Sequence, residues 1–370
     1  MHDGLALGTD RLRIRPMSVE DAATLVGYRN DDDVARYQDW PMPYTLADAE
    51  RLARESALLG APVAGEWVNL AIDVDGEMVG DLAVWIDATS EFAMIGFTIA
   101  GDHQGSGFSV GATELMLDWL FDTVGVHRVA ATADPRNVAS ASVLERCGFQ
   151  YVGTARSSAL LRGEWTDDAR FSLLLDDWRT WSARPTHTPT SIELVEVDHA
   201  NVREVCALEL AHSQRRFVTG PAVSIAEAAH PPMREGVSAR PWYRAVVADG
   251  DVCGFVMIAL PTSNQPTTIL WRLMVDRRHQ RRGIARRVVG MVAQLRIDAG
   301  ERDIEVSFVD EPGGPERFYR DLGFAPTGVV KNGETWAVAR LIDVVERATR
   351  QLDPVSDSRS GTTSMSPSTG

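Results

Sequence analysis

The sequence predicts an α/β chain made of two copies of one domain, and three observations support this prediction. The chain has 370 residues and 44% of them are hydrophobic, which is enough for two domains that each bury a core. His103-Gln104 recurs as His279-Gln280, and Gly148-Phe149 recurs as Gly323-Phe324, each about 175 residues later. In both copies the first of these pairs lies between an apolar strand pattern and a helical pattern.

Apolar periodicity, helix caps and turn signals predict the elements of the first copy. In order, they are a strand over residues 11–15, a helix that Ser18 begins and that ends near Tyr28, a helix over 46–59, strands over 67–74, 78–86 and 92–100, a helix over 110–123, a strand over 129–133 and a helix ending at Cys147. Asp75-Gly76 is a hairpin signal between two of these strands. The aromatic residues of the loop 30–43 are expected to cover core, with a wall of a substrate site as the alternative.

The second copy follows a segment rich in proline and threonine. The predicted elements are helices near 202–213 and 224–229, strands over 242–248 and 252–260 on either side of Asp249-Gly250, a strand over 269–275 and a helix to about Ala299. The domains are therefore expected at residues 8–181 and 192–343, joined by a linker over 182–191. Residues 351–370 are rich in Ser, Thr, Pro and Gly and predict a disordered tail.

The acidic composition limits the classes of partner. A net charge of -15 argues against nucleic acid, which needs a broad basic surface, and favours cationic small molecules. Only Lys331 among the 37 basic residues is lysine. The chain therefore has no Gly-Lys-Ser/Thr phosphate loop and little room for a Schiff-base lysine.

Cysteine usage and hydropathy indicate the compartment. Cys147, Cys206 and Cys253 are odd in number and far apart, and no Cys/His group has the spacing of metal ligands, so neither disulfides nor a metal site is expected. No apolar run is long enough to span a bilayer, and the residues from Met1 onward lack the pattern of a signal peptide. We expect a soluble cytoplasmic protein without a membrane partner. A homodimer is left open.

A basic turn in the second copy predicts an anion site. Residues 276–287 follow an apolar strand pattern, contain six arginines and open a helical pattern. A strand, a tight turn and a helix start direct several unpaired backbone N–H groups to one place, and Gly283 has no Cβ to block the approach of a ligand. The alternative is a solvated basic helix start.

Two motifs in this region resemble the Gcn5-related N-acetyltransferase (GNAT) superfamily. Gln280, Gly283 and Ala285 match the Gln/Arg-x-x-Gly-x-Gly/Ala pattern of its pyrophosphate loop, and residues 316–324 resemble its helix with a tyrosine ahead of Gly-Phe. The resemblance implies two tandem GNAT domains, each a mixed, mostly antiparallel sheet with a central pair of parallel strands that splay apart, flanked by helices. It implies acetyl-CoA as co-substrate and no metal. Tyr319 would protonate the leaving CoA thiolate, with a core tyrosine as the alternative.

The two copies resemble different branches of the superfamily. Over residues 192–341 the second copy is similar to bacterial spermine/spermidine acetyltransferases, although Pro312 and Pro315 stand where an asparagine is frequent. Over residues 12–178 the first copy resembles the acetyltransferases of ribosomal-protein N-termini. In that branch a glutamate usually precedes Ile-Gly, where this chain has Met94, and Ser109 replaces an alanine. These departures weaken the case for chemistry in the first copy but not the case for its fold.

The resemblance also implies the residues that contact CoA. In the second copy they are Met274, Val275, Gln280, Arg281, Arg282, Gly283, Ile284 and Ala285, and in the first copy Phe97, Gln104, Gly105, Ser106, Gly107, Phe108, Ser109, Asn137 and Ser140. A backbone N–H near Met274 or Phe97 would polarise the thioester carbonyl. Candidates for accepting the proton of the amine are Glu227, Glu235, Asp310 and Glu311, although each is better explained as an ordinary surface charge.

These implications lead to a functional expectation with alternatives. We expect an acetyl-CoA-dependent N-acetyltransferase acting on a primary amine of a cationic small molecule, either a polyamine or an amine-bearing antibiotic as in resistance, with the chemistry in the second copy. In the alternative, the first domain is the active acetyltransferase, for peptide N-termini or aminoglycoside-type amines, and the other domain is a non-catalytic acyl-CoA-binding or structural module. A further alternative is that the first domain only binds acyl-CoA or a partner.

Overall fold

A computed structural model describes residues 5–234 and 236–350 of the chain. The chain forms two compact units that divide between Ala183 and Arg184. Each unit has its own large sheet and its own hydrophobic clusters. The predicted tail over 351–370 and the candidate proton acceptor Glu235 lie outside the described residues. Among the described residues, no helix has both the length and the apolar character required to cross a bilayer.

The first unit is built on an eight-stranded sheet. Its strands are β1 (Leu7–Gly8), β2 (Arg13–Pro16), β3 (Trp67–Val74), β4 (Glu77–Ile86), β5 (Phe92–Ile99), β6 (Arg128–Ala133), β7 (Gln150–Leu161) and β8 (Glu164–Leu174). Its helices are α1 (Ala22–Arg29), α2 (Asp32–Ala35), α3 (Leu46–Leu59), α4 (Phe108–Asp118), α5 (Val138–Arg146) and α6 (Leu175–Ser182). The strands are ordered β1-β2-β3-β4-β5-β6-β8-β7 across the sheet. Every neighbouring pair is antiparallel except β5 with β6.

The second unit repeats this plan with seven strands in its main sheet. Its strands are β9 (Ile192–Val195), β10 (Met233–Arg234), β11 (Val237–Ser238), β12 (Arg240–Ala248), β13 (Asp251–Leu260), β14 (Thr268–Val275), β15 (Asp303–Val309), β16 (Ala325–Lys331) and β17 (Glu334–Arg340). Its helices are α7 (Val202–Cys206), α8 (Pro221–Ala229), α9 (Ile284–Asp298), α10 (Glu316–Asp321) and α11 (Leu341–Thr349). The order in the main sheet is β16-β17-β15-β14-β13-β12-β9, and β10 pairs with β11 separately.

In each unit the central parallel strands part after a short stretch of pairing. β5 pairs with β6 over three residues and last at Met94 with Ala130, although β5 continues to Ile99. β14 pairs with β15 over three residues and last at Leu270 with Val306. Beyond these positions a cleft opens between the two strands. The predicted mixed sheet with a splayed parallel pair is therefore confirmed in both units.

Helices cover both faces of each sheet. In the first unit, one cluster contains Met116 of α4 and Leu144 of α5, and a second cluster contains Leu25 of α1 and Ala49 of α3. In the loop 30–43, Trp40 packs against the second cluster, as expected for a residue that covers core. The first unit thus has a face covered by α4 and α5 and an opposite face covered by α1 and α3.

Two predicted helices have different extents in the structure. The helix predicted over 202–213 ends at Cys206, because Glu209 bonds instead to the end of β14: its N–H donates to Asp276 Oδ2 at 2.9 Å, and its carbonyl accepts the N–H of Arg277 at 2.8 Å. The helix predicted over 110–123 is α-helical only to Asp118 and continues as a π-helical segment, Trp119–Val124. Long-range bonding at Glu209 outweighs the local helical pattern.

Candidate active sites

The predicted anion loop of the second unit joins β14 to α9. A single helical turn, Arg277–His279, is followed by Arg281 and Gly283 in the left-handed region, with φ of 67° and 77°. A Cβ added at Gly283 would meet no atom within 4 Å, so the backbone conformation, and not packing, explains this glycine. The N–H groups of Ile284 and Ala285 belong to the first turn of α9 and lack intrahelical acceptors. The loop is therefore suited to hold a phosphate.

The loop of the first unit has the same backbone. Gly105 and Gly107 have φ of 77° and 83°, and α4 begins at Phe108. A Cβ added to either glycine would again meet nothing within 4 Å. Gly105 occupies the position of Arg281, so the second unit places a residue with a side chain in a conformation that favours glycine. The predicted residues Ser106 and Ser109 lie in this loop and in the first turn of α4.

The predicted glutamines hold the loops to the strands before them. Gln104 Nε2 donates to the carbonyl of Ile99 at 3.1 Å, and Gln280 Nε2 donates to the carbonyl of Val275 at 3.0 Å. Gln280 also exchanges two amide hydrogen bonds with Gln214, at 2.8 and 3.1 Å. These side chains therefore shape the loop, and the N–H groups that follow them are left to face a ligand.

Arg282 is a structural residue of the loop. Only 3% of it is exposed. Its Nε donates to the carbonyl of His187 at 2.8 Å, Nη1 lies 2.9 Å from His279 Nδ1, and Nη2 lies 3.3 Å from Asp249 Oδ2. Burial and the nearby guanidinium lower the pKa of His279. The Arg282 side chain is thus committed to the protein, and only its backbone N–H can serve a ligand.

Part of the predicted linker is bound to the same loop. Besides His187, the carbonyl of Pro189 accepts a hydrogen bond from Arg287 Nη1 at 2.6 Å. The Thr190 hydroxyl donates to Asp249 Oδ1 at 2.6 Å, and this bond with the N–H groups of Thr190 and Ser191 lowers the pKa of Asp249 to about 2. Residues 187–191 therefore belong to the second unit and do not act as a free spacer.

The strands before the loops differ between the units. In β14, Leu270 pairs with Ile258 and Arg272 pairs with Met257, so Trp271 is an extra, bulged residue. This bulge lies directly after the last parallel pair. β5 pairs with β4 without any register shift. A bulge changes the direction of the backbone N–H and C=O groups next to it. The backbone of β14, which carries the predicted Met274 and Val275, therefore has an irregularity that β5, which carries Phe97, lacks.

Each unit has one further glycine, not among the predicted residues, that shapes the site. A Cβ on Gly80 would lie 2.2 Å from the carbonyl oxygen of Thr98, and a Cβ on Gly254 would lie 2.6 Å from that of Met274. These glycines let β4 and β13 closely approach the ends of β5 and β14. The signal was present in the sequence, because both hairpins read Asp-Gly followed by a glycine four residues later.

Tyr319 lies in the core of the second unit on α10. Its ring packs on Phe308 of β15, on Phe318 and on Phe324, with centroids 5.6, 5.2 and 5.6 Å away. Burial raises the pKa of Tyr319 well above its ordinary value, so the phenol is protonated at neutral pH. No described residue forms a hydrogen bond with its hydroxyl group. The geometry fits both a proton donor and a core tyrosine.

The first unit has Leu144 in the position of Tyr319. The carbonyl of Leu144 accepts the N–H of Phe149 at 3.1 Å, and the carbonyl of Tyr319 accepts the N–H of Phe324 at 3.0 Å, so the two residues are equivalent. Nearby, Asn137 caps α5, because its Oδ1 accepts the N–H of Ser140 at 3.0 Å. Among the described residues, no hydrogen bond engages the Nδ2 of Asn137 or the hydroxyl of Ser140, so both groups remain available to a ligand.

Two of the candidate proton acceptors in the second unit are paired. Glu227 lies 3.2 Å from Arg272 of β14, and Glu311 lies 3.1 Å from Arg216. Asp310 is exposed. Within the described part of the chain, no group of three or more His, Cys, Asp or Glu side chains could hold a metal ion.

Comparisons with known proteins match both units to one family. Family models described as acetyltransferase (GNAT) domains match residues 11–150 and residues 241–326. The uncharacterized N-acetyltransferase p20 of Bacillus licheniformis is 28% identical over 170 residues, which are 45% of this chain and 95% of p20. The uncharacterized protein YkkB of Bacillus subtilis is 33% identical over 157 residues, 40% of this chain and 88% of YkkB. The [ribosomal protein uS5]-alanine N-acetyltransferase of Escherichia coli is 31% identical over 84 residues, 23% of this chain and 43% of that enzyme.

Proposed function

Since the chain belongs to the GNAT acetyltransferase family and has two domains of it, we propose that the second domain transfers the acetyl group of acetyl-CoA to a primary amine of a cationic small molecule. The acceptor is a polyamine or an amine-bearing antibiotic. The observation that carries the assignment to the second domain is Tyr319, a protonated phenol packed on Phe308 of the splayed strand β15. The first domain has Leu144 in its place, which has no proton to donate.

The reaction needs four groups, and the second domain supplies candidates for each. The N–H groups of residues 281–285 hold the pyrophosphate of CoA, and the bulge at Trp271 re-aims a backbone N–H toward the thioester carbonyl. The lone pair of a neutral amine attacks the carbonyl carbon, the C–S bond breaks, and the CoA thiolate takes a proton from Tyr319. The proton lost by the amine passes to a carboxylate or water and returns to the tyrosine.

The acidic character of the protein supports a cationic acceptor. The net charge of -15 attracts polycations, and Glu227 and Glu311 bring carboxylates to the second domain. Each of these carboxylates is paired with an arginine, so an ammonium group would compete with Arg272 or Arg216 for it. Asp310 is exposed and has no such competitor among the described residues.

The decisive experiment measures CoA release from acetyl-CoA with polyamines, aminoglycoside-type antibiotics and short peptides. We expect turnover on a polycation and a fall of at least tenfold in kcat for Tyr319→Phe, because a positioned proton donor contributes about 10² to 10⁴ in rate. Tyr151→Phe is the matched control, since its hydroxyl contacts Thr154 in the other domain. Undiminished turnover in Tyr319→Phe would contradict the proposal.

The similarity to the uS5-alanine N-acetyltransferase favours a second candidate function. In this alternative the first domain acetylates a peptide N-terminus or an aminoglycoside-type amine, and the second domain is a non-catalytic acyl-CoA-binding or structural module. Asn137 Nδ2 and the Ser140 hydroxyl would then serve the thioester. Loss of peptide acetylation in Ser140→Ala, with no effect of Tyr319→Phe, would establish this arrangement.

A further inference from the structure

A pocket of about 270 Å³ in the first domain includes Arg136, which lies three residues beyond the end of β6, one of the two splayed strands. It is lined by Arg36, Tyr37, Arg136, Leu161, Arg162 and Glu164, which together are called the arginine pocket. Three segments form it: the residues after α2, the loop between β6 and α5, and the tip of the β7–β8 hairpin. Arg162 Nη2 donates to the carbonyl of Ala35 at 2.7 Å, which holds the hairpin tip against α2.

Guanidinium groups dominate the lining. Arg136 binds Asp134 through Nε and Nη2 at 2.9 and 2.7 Å, while its Nη1 lies 3.8 Å from Glu164, a side chain that is 70% exposed. Among the described residues, Arg36 forms an ion pair only with Asp33, which is 84% exposed. Arg162 has no carboxylate partner among the described residues. The pocket therefore offers a ligand Nη1 of Arg136 and the N–H groups of Arg162 other than the one that binds Ala35.

This pocket is separate from the pyrophosphate loop. Arg136 directly precedes Asn137, the residue that caps α5 at the end of β6. Arg36 and Tyr37 follow Val34, which belongs to the hydrophobic cluster of α1 and α3. The pyrophosphate loop instead opens α4, which packs in the cluster on the other face of the sheet. None of the six residues that line the pocket belongs to the pyrophosphate loop.

We propose that the arginine pocket binds the anionic group, a phosphate or a carboxylate, of an amine that the first domain takes up as a ligand. Planar guanidinium groups bind both oxyanions through paired N–H donors. The anion replaces Glu164, which lies 3.8 Å from Nη1 of Arg136, and accepts hydrogen bonds from the N–H groups of Arg162 that do not bind Ala35. The first domain therefore selects amines that carry an anionic group, unlike the polycations proposed for the second domain, and this inference does not rest on the activity of the second domain.

Calorimetric titration of the full chain with matched amines tests the inference. Saturating CoA is present throughout, so that both pyrophosphate loops are filled. O-phosphoethanolamine is compared with ethanolamine, and 4-aminobutyrate with butylamine. We expect at least one amine that carries an anionic group to bind at least tenfold tighter than its partner without that group. Arg162→Gln and Arg136→Gln should each weaken that binding about tenfold or more, since a hydrogen bond to a charged group is lost.

Controls separate the pocket from general charge effects and from misfolding. Arg51→Gln and Arg54→Gln remove exposed arginines of α3 and should leave binding unchanged. Arg162→Lys keeps the charge without the planar fork and should bind better than Arg162→Gln, while circular dichroism verifies folding. Preference for only the phosphate or only the carboxylate identifies the acceptor class. Equal binding of the amines with and without the anionic group, or binding unaffected by Arg162→Gln and Arg136→Gln, overturns the inference.

Discussion

At the scale of single residues, the burial of Tyr319 predicts how the stability of the protein depends on pH. A tyrosine in an unfolded chain has a pKa of about 10, and burial raises the pKa of Tyr319 above that value. The buried, protonated phenol therefore adds to the free energy of unfolding, and this contribution is fully present below pH ~10. It is lost as the pH rises further, because the tyrosine of the unfolded chain loses its proton at a lower pH than the tyrosine of the folded protein. Between pH 8 and pH 10.5, urea midpoints of the wild type should fall more than those of Tyr319→Phe. Equal falls would contradict this account of the residue.

Substitution of Met94 tests whether a missing carboxylate is the only reason why the first domain would be inactive. It is the last residue of β5 that pairs with β6, so a carboxylate there would lie at the opening of the cleft. If the chemistry is in the second domain, Met94→Glu should change turnover on the best polycation by less than about twofold, with Met94→Gln as the uncharged control. A tenfold gain with glutamate and none with glutamine would show that the first domain performs the chemistry.

At the scale of elements, the glycines of β4 and β13 set how closely neighbouring strands approach. The Cβ of an alanine at Gly254 would meet the backbone carbonyl of Met274 at 2.6 Å, and the strand cannot yield without breaking its ladder. We expect Gly254→Ala to lower the free energy of unfolding by about 1 to 3 kcal/mol, as overpacking does.

The chain provides a matched control for this prediction. Gly220 precedes α8 with φ of -65°, and a Cβ there would meet nothing within 4 Å. Gly220→Ala should therefore change the stability by less than about 0.5 kcal/mol. Chemical denaturation of both variants measures the difference. If the two substitutions had equal effects, the close approach of the strands would not be the reason for Gly254.

At the scale of the whole molecule, the two loops predict the stoichiometry of CoA binding. Both have paired left-handed residues ahead of a helix, with open space over the glycines. We expect two molecules of acetyl-CoA per chain by isothermal titration. Gly283→Val should reduce this number to one, because a β-branched residue is strained at φ of 77° and would obstruct the phosphate. One molecule in the wild type would mean that one loop is inactive.

The sequence by itself determined the two-copy architecture and most elements of each sheet. Strand and helix periods, the Asp-Gly hairpins and the loop glycines are local patterns. Each depends on the backbone conformation or burial of residues that are close together in the sequence. The helix over Leu46–Leu59 and the strand over Trp67–Val74 have the predicted bounds for this reason. The roles of Gln280, Gly283 and Tyr319 as ligands or catalyst stay predictions.

Only the tertiary structure decided which predicted side chains are available to a ligand. Gln280 bonds with Gln214, 66 residues away, and Arg282 bonds with His187, 95 residues away, so both are committed to the protein. The bulge at Trp271 and the arginine pocket likewise depend on contacts between segments that are remote in the sequence. Local patterns reflect hydrogen bonding and burial within one element, whereas these features arise when separate elements compete for the same donors and space.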